Sequence, residues 1–151
     1  MTAIIIGTGD GFLSEVKMVQ HIPHHKFGIN KAVRYISCHH WVSLHPDQMI
    51  SDHLGLKHSN LPDGTRINVV WDFKNNGGTS ALLAIDITRR LLYDKVILCG
   101  VPLSNKYSGA LNEFKKYKEK HFEWCKRVRS FSGLTKELFG DAKEMIYGKC
   151  S

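Results

Sequence analysis

Residues 95–103, KVILCGVPL, constrain the fold more than any other stretch of the chain. An unbroken apolar run this short, closed by Gly100 and Pro102, suits a strand covered on both faces, as in a central parallel strand. A second run, AIII at 3–6, breaks at glycines and gives way to helical spacing through Phe12, Leu13, Val16 and Val19. Pro23 closes that helix, with His21, His24 and His25 in its last turn. Strand and helix then alternate. FGINKAV reads as a short strand feeding a turn or short helix. HHWVSLHP reads as a third strand of about six buried residues, stopped by Pro46. DQMISDHLG is a short helix opened by Asp47 and closed by Gly55, LPDGT a turn, and RINVVWDF a fourth, β-branched strand. KNNGG is a glycine loop, TSALLAIDITRRLLYD a well-buried helix, and 109–126 a long basic amphipathic helix. VRSFSGLTKELFG is a serine-capped helical turn before a frayed tail.

This alternation calls for right-handed crossovers and a mostly parallel sheet. The expected fold is α/β: a single three-layer Rossmann-like domain spanning 1–151. The chain has 151 residues, 42% of them hydrophobic and 23% charged, enough for one core and ordinary for a soluble protein. No apolar run reaches the roughly 18 residues of a membrane helix. MTAIIIGTGDG lacks a basic n-region, so no signal peptide is expected and the expected location is the cytoplasm. The four cysteines, Cys38, Cys99, Cys125 and Cys150, form no CxxC pair and read as reduced thiols, Cys38 and Cys99 within strands.

The chemistry of such folds sits at the carboxyl ends of the strands. IIIGTGDG places Gly7 and Gly9 between the first strand and its helix, where main-chain amides approach a phosphate or, equally, where a tight turn needs glycine. The spelling is GxGxG, not the full GxGxxG. Asp10 in that loop would hold a ribose hydroxyl or a lysine, or cap the helix. Gly77, Gly78, Thr79 and Ser80 open the next buried helix, either as a second anion-ready terminus or as ordinary capping. His39, His40 and His45 surround one strand, whose alternation puts His39 and His45 on one face and His40 on the other. No metal-ligand spacing is present and no cofactor is required. His45, at the strand's carboxyl end, is the candidate general acid or base. Arg127, Arg129, Ser130, Ser132 and Thr135 gather donors at the last helix start, suited to a phosphate or to a helix cap.

Taken in order, G-x-G, GIN at 28–30, WVSLHP at 41–46, GGTS at 77–80, VILCGVPL at 96–103 and VRSFSGLTKELFG at 128–140 resemble a group of small phage and prophage proteins, over nearly the whole chain from Gly7 to Gly140. More remotely, the glycine loop, the GIN and the late apolar strand are similar to the nucleotide-binding half of motility-accessory-factor proteins and bacterial sialyltransferases, which use CMP-activated sugars. That resemblance implies a nucleotide pocket lined by Gly7, Gly9 and Asn30, with Gly78, Thr79 and Ser80 nearby. Two departures stand out: Asp10 and Gly11 replace the Pro-Ser that often follows the second glycine, and 151 residues leave no room for an acceptor-binding lid.

The expected function is therefore a phage-type enzyme that binds a nucleotide or nucleotide-sugar and catalyses group transfer or cleavage. The alternative is a non-catalytic nucleotide-sequestering or host-interaction module. A third reading follows from the net charge of +7, because residues 115–129 hold seven Lys or Arg against two Glu. The face from Lys115 to Arg129, with Tyr117, Phe122 and Trp124, would then bind nucleic acid.

Overall fold

The computed structural model describes residues 1–45, 47, 55–60, 67–74 and 79–148. In chain order the elements are β1 (Thr2–Ile6), α1 (Phe12–Val19), β2 (His24–Ile29), a short 3-10 helix (Asn30–Arg34), β3 (His40–Val42), β4 (Leu56–Ser59), β5 (Val69–Val70), α2 (Ser80–Arg90) and β6 (Lys95–Cys99). A second 3-10 helix (Asn105–Ala110), α3 (Leu111–Lys120), α4 (Phe122–Cys125), β7 (Val128–Ser130), α5 (Gly133–Phe139) and α6 (Ala142–Tyr147) complete them.

The strands form one seven-stranded sheet in the order β5-β4-β3-β2-β1-β6-β7, and every pairing is parallel. β1 is buried along its whole length, which explains why AIII carries no polar alternation. Its side chains still divide by parity. Ala3 and Ile5 join Phe27, Leu83, Val96, Leu98 and Phe114 under α2 and α3, while Ile4 and Ile6 join Val19, Ile97, Cys99 and Ala142 under α1 and α6. Helices thus cover both faces, and the expected α/β architecture holds, with a sheet that is parallel throughout.

The boundaries differ in instructive ways. His24 and His25 belong to β2, because α1 stops at Val19, well before Pro23. β3 keeps only three residues. LKHS, to which the sequence pattern assigns no element, is the parallel strand β4, and VRS, expected in a helical turn, is β7. RINVVWDF contributes only the two-residue edge strand β5. The single long basic helix is divided at His121, whose φ of −120° and ψ of 42° interrupt the helical path between α3 and α4. The frayed tail is instead α6, capped by the Asp141 carboxylate accepting from the Lys143 amide. Residues 48–54 of the expected short helix and the whole LPDGT turn lie outside the described residues. No described helix is long and apolar enough to cross a membrane.

Three of the cysteines are buried free thiols, Cys38, Cys99 and Cys125, as the reduced reading expects; Cys150 lies outside the described residues. Burial pushes Cys38 and Cys125 up to about 11 and Cys99 higher still, so these thiols stay protonated and inert at neutral pH.

Candidate functional site

The chain builds outward from β1 to β5 on one side, then returns through α2 to place β6 on the other side of β1. That reversal makes the carboxyl edge at β1 and β6 the switch point, where open α/β sheets bind ligands. A cleft of about 1000 Å³ lies there. It draws Gly7, Thr8, Gly9 and Asp10 from the β1 loop, Asn30 and Lys31 from the end of β2, His45 from the end of β3, Thr79 and Ser80 from the start of α2, and residues 100–104 from the β6 loop.

The glycines of the first loop have a specific structural use. The Gly7 amide donates to the Cys99 carbonyl at 2.8 Å and the Gly9 amide to the Gly100 carbonyl at 2.9 Å. A Cβ on Gly7 would lie 2.5 Å from the Gly100 oxygen. The GTG motif therefore lets two strand ends approach closely, and both glycine amides are committed to β6, so they do not cradle a phosphate. Gly100 itself donates to the Glu15 carboxylate of α1 at 2.5 Å. Asp10 is exposed and does not cap α1: the N-cap is Gly11, and no side chain bonds the first turn.

On the opposite side of the cleft a polar network joins three elements. The Leu44 amide donates to Ser80 Oγ at 3.0 Å and the His45 amide to Ser43 Oγ at 2.9 Å. Each hydroxyl then has one proton, and both give it to Asn30 Oδ1, at 2.8 Å from Ser43 and 3.2 Å from Ser80. Asn30 sits at φ 49°, a left-handed conformation that Asn tolerates better than most residues. Ser80 is thus a tether between α2 and β3, not a cap, and Thr79 at the N-cap makes no side-chain cap bond. Gly78 lies outside the described residues. His45 is exposed at the cleft mouth, as its place after β3 leads one to expect.

The remaining candidates are not in the cleft. Arg129 donates to the main-chain carbonyls of Lys126, Val128 and Phe139. Ser130 is fully buried and bonded to Thr135 at 2.7 Å, and Ser132 Oγ is buried without a partner in the described structure. These three correct the expectation that they share the ligand site. Their segment instead supports the cleft from behind: Thr135 Oγ1 donates to the Val101 carbonyl and the Leu134 amide to the Pro102 carbonyl at 2.8 Å. Leu103, the next residue, adopts φ 54°, an unfavourable conformation for leucine. Thr135→Val is expected to cost about 1–2 kcal/mol in urea unfolding, by leaving the Ser130 hydroxyl and Val101 carbonyl without this partner. A loss below a few tenths would show that the hydroxyl contributes nothing.

His25, His39, His40 and His58 form a ladder across β2, the start of β3 and β4, none of it lining the cleft. Because β3 ends at Val42, strand alternation does not relate His39 to His45. His39 accepts from the Lys26 amide at 2.9 Å and its ring lies 5.3 Å from that of His25. Trp71 Nε1–H, a pure donor, reaches His58 Nδ1 at 3.0 Å, so neutral His58 carries its proton on Nε2 and gives it to His40 Nδ1 at 2.9 Å. His40 stacks on Phe27 with centroids 4.1 Å apart. Burial, with the neighbouring imidazoles, lowers both His40 and His58 to about 4. Among the described residues no group of three His, Cys, Asp or Glu is placed to hold a metal.

On the basic face, Tyr117 turns inward and donates to the buried Asp86 carboxylate at 2.7 Å, and Trp124 packs against the core. Phe122 remains exposed, with Lys126 over its ring. Lys116 and Lys126 pair with Glu113 and Glu123.

Sequence reasoning missed Lys31 and Arg34. They follow Asn30 on the first 3-10 helix and flank a recess of about 40 Å³ beside the cleft, with Asn30, Trp41 and Ser43. The available signal was two cations spaced i, i+3 directly after a strand's end.

No family model and no curated protein matches the chain. A solved structure of a protein from Lactobacillus plantarum is similar, with a TM-score of 0.48 and 15% identity, over 86% of this chain and 59% of that one.

Proposed function

We propose that the protein binds a nucleotide or nucleotide-sugar in the switch-point cleft and catalyses group transfer or cleavage on it, with His45 as general acid or base. One observation carries this reading: the cleft gathers Gly9, Asp10, Asn30, Ser80 and His45 from separate segments around a volume suited to a nucleotide. Asp10 offers an acceptor for a ribose hydroxyl, and Asn30 is held rigidly by its two serine donors. An imidazole at the mouth reaches the reacting end of a bound ligand while exchanging protons with water.

A second reading, a non-catalytic binding module, draws on the same cleft. What favours it is that no side chain among the described residues orients the His45 imidazole, as a catalytic base commonly requires.

A thermal-shift panel of nucleotides and nucleotide-sugars, with product analysis on each hit, tests both. A ligand at 100 times its Kd adds about 2.7 kcal/mol to stability, so even modest binders register. With a turned-over ligand in hand, His45→Ala is expected to lower kcat about a hundredfold and leave affinity nearly unchanged. Unchanged turnover removes His45 from the chemistry. Binding without product selects the second reading, and a silent panel removes the nucleotide proposal.

A further inference from the structure

The recess beside the cleft contains donors without acceptors. Lys31 and Arg34 lie i, i+3 on a 3-10 helix, where three residues per turn bring such side chains onto the same face. Both are exposed, and neither has a hydrogen bond or ion pair within the described structure. Two unpaired like charges held side by side repel each other, and no carboxylate lines the recess to offset them. The third donor is Asn30. Its Oδ1 is occupied by the Ser43 and Ser80 hydroxyls, which fixes the amide and leaves Nδ2 without a protein partner among the described residues. A fixed amide N–H₂, an ammonium and a guanidinium around one small recess recognise an oxyanion and reject a cation. The glycine loop is the conventional place to look for a phosphate. Here its Gly7 and Gly9 amides are taken by β6, and the exposed Asp10 carboxylate adjoins them.

We infer that Asn30, Lys31 and Arg34 form an oxyanion subsite, and that the ligand of the cleft carries a phosphate or carboxylate group bound there and not at the glycine loop. This rests on the cleft being a ligand site, since Asn30 and Lys31 line both cavities. The anionic group lies on the β2 and β3 side and the neutral part of the ligand toward the β6 loop.

The test uses isothermal calorimetry with inorganic pyrophosphate and with malonate, separately from the nucleotide panel. Wild-type protein is expected to bind at least one of them, and which one binds names the anion. Lys31→Gln/Arg34→Gln is expected to weaken that binding about tenfold or more, with its melting temperature reporting that it still folds. Asn30→Asp, which keeps the oxygen accepting from both serines and replaces the free amide with negative charge, is expected to weaken it as well. Lys31→Arg/Arg34→Lys, which preserves both charges, is expected to retain binding. The control Lys95→Gln/Lys115→Gln removes the same net charge elsewhere and is expected to leave affinity unchanged. Absence of binding to either anion in wild type, unchanged affinity in Lys31→Gln/Arg34→Gln, or an equal loss in the control overturns the subsite. The two proposals fail separately. Anion binding lost in the double variant alongside a silent nucleotide panel keeps the subsite and removes the nucleotide. A nucleotide hit unaffected by the double variant does the reverse.

Discussion

Gly100→Val is expected to destabilise the protein by about 4 kcal/mol, combining roughly 1–3 for overpacking with a similar cost for holding a β-branched residue at positive φ. Gly100 sits at φ 65°, and any Cβ there would collide with the Gly7 carbonyl oxygen and Phe12 Cβ. Neither obstacle can move cheaply: one is main chain at the end of β1, and the other is the first residue of α1, whose Glu15 is bonded to the Gly100 amide. Gly109 provides the comparison, since a Cβ there meets nothing within 4 Å and its φ is ordinary. Urea unfolding of Gly100→Val and Gly109→Val is the measurement. Equal midpoints for the two would show that the close approach of β1 and β6 is not a constraint on the fold.

Acidification is expected to remove about 3 kcal/mol through the histidine ladder. His40 and His58 have an ordinary value of 6.5 and are lowered to about 4 in the folded protein. As pH falls below 6.5 the unfolded chain takes up protons that the folded chain refuses, so stability is complete above that pH and declines as pH falls through about 4. Each shift alone corresponds to roughly 3 kcal/mol at most, and the shared bond between the rings, with the partial exposure of His40, brings the pair to about the same total. Protonation also breaks a specific bond, because a charged His58 no longer accepts from Trp71. Unfolding free energies at pH 7 and pH 4.5, for wild type and for His40→Gln/His58→Gln, measure the contribution. If both proteins lose stability in parallel, the ladder is not the source.

The architecture was legible because β1 and β6 are buried on both faces and so are spelled in unbroken apolar residues, AIII and VILC. α2 was legible for the same reason, with Leu82, Leu83, Ile85 and Ile87 all buried. β4 escaped notice because Lys57 and His58 are polar by type yet buried in place, with the His58 ring bonded to Trp71 and His40 from other segments. β7 escaped because Arg129 looks like a surface donor until the carbonyls of Lys126, Val128 and Phe139 are brought around it. In the cleft, strand-end logic pointed to Gly7, Ser80 and His45, and the family resemblance to Asn30. It did not reveal that the glycine amides face β6, because hydrogen bonds between loops 90 residues apart leave no local pattern.

The pairing of Thr2 with Lys95 has a consequence for biosynthesis. β1 leaves the ribosome before β6, so one edge of that strand stays open until residues 95–99 appear, and a crossover has to be in place before they dock. Until then a strand that is fully buried in the finished fold presents an unpaired edge, a template for wrong partners as much as for the right one. β1, an interior strand of the sheet, is thus made well before the strand that encloses it.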